Sequence, residues 1–135
     1  MFNMAPGSAD GQEIWETLGI LVALKLWAKE FALKRISLQV RGDNAGALVL
    51  LIKMRPRTSH LAIIDRGLAL FLATSSFPPR VIHTPGIAHV VADTLSRVFS
   101  PEGGGVVDNS LHPALADAML STPPERTPEW YLAYK

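Results

Sequence analysis

Cysteine is absent from this 135-residue sequence, which excludes a disulfide framework and any thiolate metal site. An excess of one charge is missing too. The 13 Lys and Arg stand against 12 Asp and Glu, a net charge of +1, so overall charge selects no class of partner, although the middle of the chain is locally basic. No apolar run is long enough to span a bilayer. The strongest, Leu18 to Leu24, stops at Lys25, well short of the roughly 20 residues a spanning helix needs. The residues before it carry acids and no base, which speaks against a secretory signal. An intracellular location, cytoplasm or nucleus, with no membrane partner is the resulting expectation. The sequence also lacks an internal repeat, a glycine-rich phosphate loop and a nucleophile motif, which argues against an unrelated metabolic α/β domain.

What is present is a folding sequence. Hydrophobic residues make up 48% and the mean hydropathy is +0.20, enough for one domain, or part of one, with a real core. Residues 1–11 read as a loose lead-in with Pro6 and Gly7. Glu13 to Lys34 reads as a long helix, with Ile20, Leu24, Trp27 and Phe31 as its apolar stripe, widened by Leu18, Leu21 and Ala28. Ile36, Leu38 and Val40 then alternate with Ser37, Gln39 and Arg41, the period of a strand with one buried face. Gly42-Asp43-Asn44 breaks that strand, and Asp43 is placed to cap a helix over Ala45 to Met54. Arg55-Pro56-Arg57 ends this helix. Thr58 or Ser59 caps the next, whose apolar face is Leu61, Ile64, Leu68 and Phe71. Phe77-Pro78-Pro79 precedes a second strand, Arg80 to His83, and a last helix covers Ile87 to Val98.

Helix, strand, helix, helix, strand, helix is the order of an α/β layer with parallel strands, about 36–42 and 80–84, joined by a crossover. Residues 12–100 hold this unit. Residues 101–135 begin at a glycine joint, Gly103 to Gly105, and carry Pro113, Pro123, Pro124 and Pro128. They read as a linker or docking tail outside the core, with one short helix through Leu111, Leu115, Met119 and Leu120 and an extended stretch from Thr122 to Lys135.

The chemistry-bearing residues fall at strand ends and helix starts. Parallel pairing sets Asp43 and His83 at one sheet edge, where α/β folds gather their chemistry. Asp93 lies on the helix that returns after the Thr84-Pro85-Gly86 turn. Glu16 sits in the first turns of the long helix, on a face with Gly19, Ile20, Ala23 and Trp27, where the small Gly19 and Ala23 would let a strand approach. Acids converging without cysteine suit a hard cation such as Mg²⁺ or Mn²⁺. Two such ions stabilise both oxygens of an in-line phosphoryl displacement. Taken singly, each residue has a plainer reading. Asp43 would be a helix N-cap, Glu16 a first-turn acid on the helix dipole, Asp93 a surface acid paired to Arg97 at i+4, and His83 a polar strand end.

Asp43-Asn44 after a strand, Ala92-Asp93-Thr94-Leu95-Ser96-Arg97 near the end, and Glu16-Thr17-Leu18-Gly19 through Trp27 together resemble the ribonuclease H domain of retrotransposon reverse transcriptases. The resemblance runs from about Gln12 to Phe99. It implies that Glu16, Asp43 and Asp93 are three of the family's four metal-binding carboxylates, holding Mg²⁺ or Mn²⁺. It implies that His83 is the mobile histidine that helps product release. Asn44 and His89 would lie near the nucleic-acid backbone, His89 standing where the family often has asparagine. The implied reaction is endonucleolytic hydrolysis of the RNA strand of an RNA–DNA hybrid, recognised by shape and 2′-hydroxyls. Arg41, Lys53, Arg55 and Arg57 would meet phosphates near the Asp43 edge, or form a solvated helix end.

One departure stands out. The family's fold opens with three antiparallel strands, the first bearing an aspartate that bridges both metals. Nothing before Glu13 reads as these strands, and Asp10 beside Gly11 does not replace that acid. The expectation is a truncated ribonuclease H-like α/β unit, the C-terminal part of the domain, with an incomplete two-ion site and little or no activity alone. Its partners would be a hybrid or other nucleic acid, and the preceding strands of the same polyprotein. A non-catalytic binding module or a decayed fragment is the alternative.

Overall fold

The structure, a computed structural model, describes residues 9–31, 36–75, 79–85, 90–98, 103–108, 110, 113–115, 125 and 127–132. Its elements are α1 (Ala9–Leu26), α2 (Ala28–Phe31), β1 (Gln39–Gly42), α3 (Ala45–Lys53), α4 (Ser59–Thr74), β2 (Arg80–His83), α5 (Val90–Arg97), a 3₁₀ turn (Pro113–Leu115) and α6 (Pro128–Leu132). The protein is mixed α/β and mostly helical, with β1 and β2 forming one parallel pair. None of the described helices is long and apolar enough to cross a membrane. The chain packs as two compact units, Met1–His83 with Pro124–Lys135, and Thr84–Pro123.

In the first unit α1 packs on α3 and α4. Ile14, Leu18, Leu21 and Leu24, at spacings of three and four, are its buried stripe. They join Leu50 and Leu51 of α3 and Leu61, Ile64 and Leu68 of α4 in the core, each such side chain contributing about 1.5–3 kcal/mol. This corrects the expected face: Ile20 only borders the core, and Trp27 is 56% exposed. The expected single helix from Glu13 to Lys34 starts earlier, at Ala9, and breaks at Trp27. Gly19 is exposed with open space around it, so no strand among the described residues packs on it. The buried Thr17 keeps its hydroxyl satisfied by donating to the Glu13 carbonyl at 2.6 Å.

β1 and β2 pair with Gln39 opposite Arg80 and Gly42 opposite His83, and Arg80 N–H donates to the Leu38 carbonyl at 2.8 Å. Val40 and Val81 pack against the core while Gln39 and Arg41 stay exposed, the alternation expected of a half-buried strand. α4 matches its expected face, with Phe71 half-buried at the end, and Thr58 caps it by accepting from Leu61 N–H at 3.2 Å. The cap of α3 differs from expectation. Asn44, not Asp43, accepts from Ala47 N–H at 3.0 Å, because the strand ends at Gly42 and leaves Asn44 directly before the first helical residue. α3 closes at Met54, in the left-handed region at φ 48°, before Pro56 disfavours further helix.

The expectation of an extended tail outside the core fails at Pro128–Leu132, which is helical. Tyr131 is 2% exposed and belongs to the core cluster. In the second unit α5 covers Val90–Arg97, inside the expected Ile87–Val98. The expected helix through Leu111 to Leu120 falls mostly outside the described residues, which show only the 3₁₀ turn there.

Candidate functional site

The parallel register places Gly42 opposite His83, so both strands deliver their next residues to one edge. There the His83 imidazole lies with Nε2 3.2 Å from the Asp43 carbonyl oxygen. A carbonyl only accepts, so Nε2 is the donor in this contact. Asp43 is exposed and free of the capping role that Asn44 has taken.

α1 brings Glu16 to the same place. Partial burial pushes the Glu16 carboxyl above its ordinary range. The Gln12 amide, donating to Oε1 at 3.1 Å, pulls the other way, the neighbouring Asp43 carboxylate adds to the rise, and the Asn44 amide donates to Glu16 and opposes it. Asn44 therefore holds the site from two sides: its Oδ1 closes the first turn of α3 and its amide steadies Glu16.

Another acid, which the sequence reading did not single out, lies beside the Asn44 turn. The Glu13 carboxylate lies against Gly46, where an added Cβ would stand 2.8 Å from Glu13 Oε1 and 3.1 Å from Asn44 Oδ1. It thus sits at the first turn of α3, where the exposed amide ends favour a negative charge. The signal was available: Glu13 and Glu16 are one turn apart on the same helix.

The remaining expected residues are placed differently. Asp93 lies in the first turn of α5, in the second unit, and its Oδ1 accepts from Arg97 Nε at 3.2 Å and Nη2 at 3.1 Å. The surface pairing read from their i,i+4 spacing is thus formed. Arg41 is exposed on β1 and donates to Gln39 Oε1 at 3.0 Å. Lys53, Arg55 and Arg57 lie at or beyond the C-terminal end of α3. Nine helical residues carry them about 13 Å from the turn that holds Asn44, so they do not cluster with Asp43 as expected. His89 lies outside the described residues.

Oxygen ligands such as Glu16 and Asp43 suit a hard cation by type. Among the described residues, however, no three His, Cys, Asp or Glu side chains group so as to hold a metal ion. The pair alone does not fit the two-ion site that the resemblance implies. Comparison with protein-family models, curated proteins and solved structures finds no match for the chain.

Proposed function

We propose that this chain is a ribonuclease H-like unit of retroelement type, whose ancestral reaction is metal-dependent endonucleolytic hydrolysis of the RNA strand in RNA–DNA hybrids. One observation carries this reading: Asp43, just past the end of β1, stands near enough to Glu16 on the first helix to add to the rise that burial chiefly causes in its carboxyl. An acid at each of these two places is what the family's motifs require. Mg²⁺ or Mn²⁺ is the cation in this reading, with Glu16, Asp43 and Asp93 as part of a ligand set that a preceding strand would complete. His83 is assigned to product release, and Asn44, Arg41 and His89, with the more distant Arg55 and Arg57, to the nucleic-acid backbone. Cleavage of a labelled hybrid with Mg²⁺ or Mn²⁺ tests it. The reading expects little or no cleavage by the chain alone and metal-dependent cleavage, abolished by Asp43→Asn, once a preceding aspartate-bearing strand is supplied; no cleavage by the completed unit ends it.

A second reading, a non-catalytic module that binds nucleic acid or a partner, draws support from the lack of a three-acid group among the described residues. Hybrid binding that weakens steeply with salt, without cleavage, distinguishes it. Neither binding nor cleavage leaves a decayed fragment.

A further inference from the structure

α6 is only five residues long, and a helix of that length does not persist in water on its own. It also returns to the first unit after the chain has passed through the second. Its helicity therefore comes from what it docks against, and α1 and α4 are shaped for it in three ways. Gly67 of α4 leaves room for the segment's main chain: a Cβ there would lie 3.0 Å from the Tyr131 carbonyl oxygen and 2.9 Å from Leu21 Cδ2. Lys25, in the last turn of α1, donates from Nζ to the Trp130 carbonyl oxygen and lies 4.3 Å from the centre of the Trp130 ring. That combines a charged hydrogen bond with a cation–π contact. Tyr131 fills the space between, 2% exposed in the cluster with Leu21, Leu61, Ile64 and Leu68. Its ring meets Trp130 edge-on at 5.0 Å.

We propose that the α1–α4 groove is a receptor for a short Trp-Tyr helical segment, filled in this chain by Pro128–Leu132 and able to take the same segment from a second copy. The features are those of helix-in-groove recognition, with one aromatic anchor in a pocket and a charged side chain reading the main chain beside it. Being part of the same chain, the resident segment meets the groove at a high effective concentration. At micromolar protein the groove is filled in cis, and a segment in trans enters only where the resident one is weakened. The proposal rests on the packing of the first unit alone and is independent of any nuclease activity.

A fluorescein-labelled peptide of residues 124–135 is titrated into the full-length chain and into the full-length Tyr131→Ala variant. The peptide should bind the variant at least about tenfold more tightly than the unaltered chain, and placing Tyr131→Ala in the peptide should remove at least about tenfold of that affinity. Equal affinity for both chains, or indifference to the peptide's own tyrosine, overturns the proposal. Hydrogen exchange on the unaltered chain decides the matter should the variant not fold. Amides of Trp130 and Tyr131 should exchange at least about tenfold faster than those of Ile64 and Leu68, since the segment opens without global unfolding. Equal protection means α6 is inseparable from the core and overturns it too.

Discussion

Asp65 is the buried group most at odds with its surroundings, and replacing it tests the packing of α4. It lies on the core-facing stripe, one turn from Leu61 and from Leu68, and is 9% exposed with Oδ1 lacking any hydrogen-bond partner among the described residues. Desolvation raises its carboxyl above the ordinary value of 3.8. An acid so raised is more readily protonated folded than unfolded. Its contribution to stability is therefore fully present below pH 3.8 and is lost as pH rises through the higher folded value. At pH 7.5 the fold carries a buried, unsatisfied oxygen, a burden of about 1–3 kcal/mol. Asp65→Leu removes it with an apolar side chain of similar size. The variant should be stabilised by about 1–3 kcal/mol at pH 7.5, roughly 3–10 °C in Tm for a chain of this length. Toward pH 4 the gain should shrink, because the native carboxyl then takes up its proton more readily than the unfolded one. Urea melts at both pH values read this directly. Destabilisation of equal size at both would mean that Asp65 has a satisfied structural role, and the reasoning would fail.

The two residues before α3 separate cleanly. Asn44→Ala should cost about 1 kcal/mol of stability by removing the cap, whereas Asp43→Ala should change it by less than about 0.5 kcal/mol, both read by urea denaturation. Asp43→Asn should lower the Glu16 pKa, followed by ¹³C-detected titration, without returning it fully to 4.5, since burial is the larger cause of its rise. Gly46→Ala and Gly67→Ala should differ in sign. The first meets the movable end of Glu13 and gains helix propensity of up to about 1 kcal/mol. The second meets the Tyr131 main chain and should cost about 1–3 kcal/mol, with faster exchange at α6.

Much of the first unit was legible in the sequence where a single period dominates. β1 alternates and α4 repeats cleanly, β2 shows as a short apolar run between proline-containing turns, and the strand order follows from them. α1 was harder because apolar residues surround it. Leu18 to Leu24 offers several stripes, and which one is buried depends on where α3 and α4 pack. The α3 cap was misplaced by one residue because Asp43 and Asn44 both suit it, and the end of β1 decides between them. Asp65 was passed over although its spacing from Leu61 and Leu68 puts it on their face. α6 left only a short start signal, Thr127-Pro128-Glu129, and a five-residue segment keeps a helix only by docking.

For the site, the same dependence on assembly separates the acids that the first unit brings together from the one it does not. Glu16, Asp43 and Asn44 are placed by elements of one unit, so their meeting is built into that unit's core. Asp93 belongs to the other unit and pairs with Arg97, with side chains 49% and 73% exposed. An exposed i,i+4 pair of this kind contributes about 0.3–0.5 kcal/mol, far less than a carboxylate gains on meeting a divalent cation beside two others. The Arg97 pairing is therefore no barrier to Asp93 serving as a ligand. In the reading proposed above, what decides activity is whether further oxygen ligands join Glu16 and Asp43. Supplying the preceding strands with their aspartate would restore cleavage, whereas releasing Asp93 by Arg97→Ala would not.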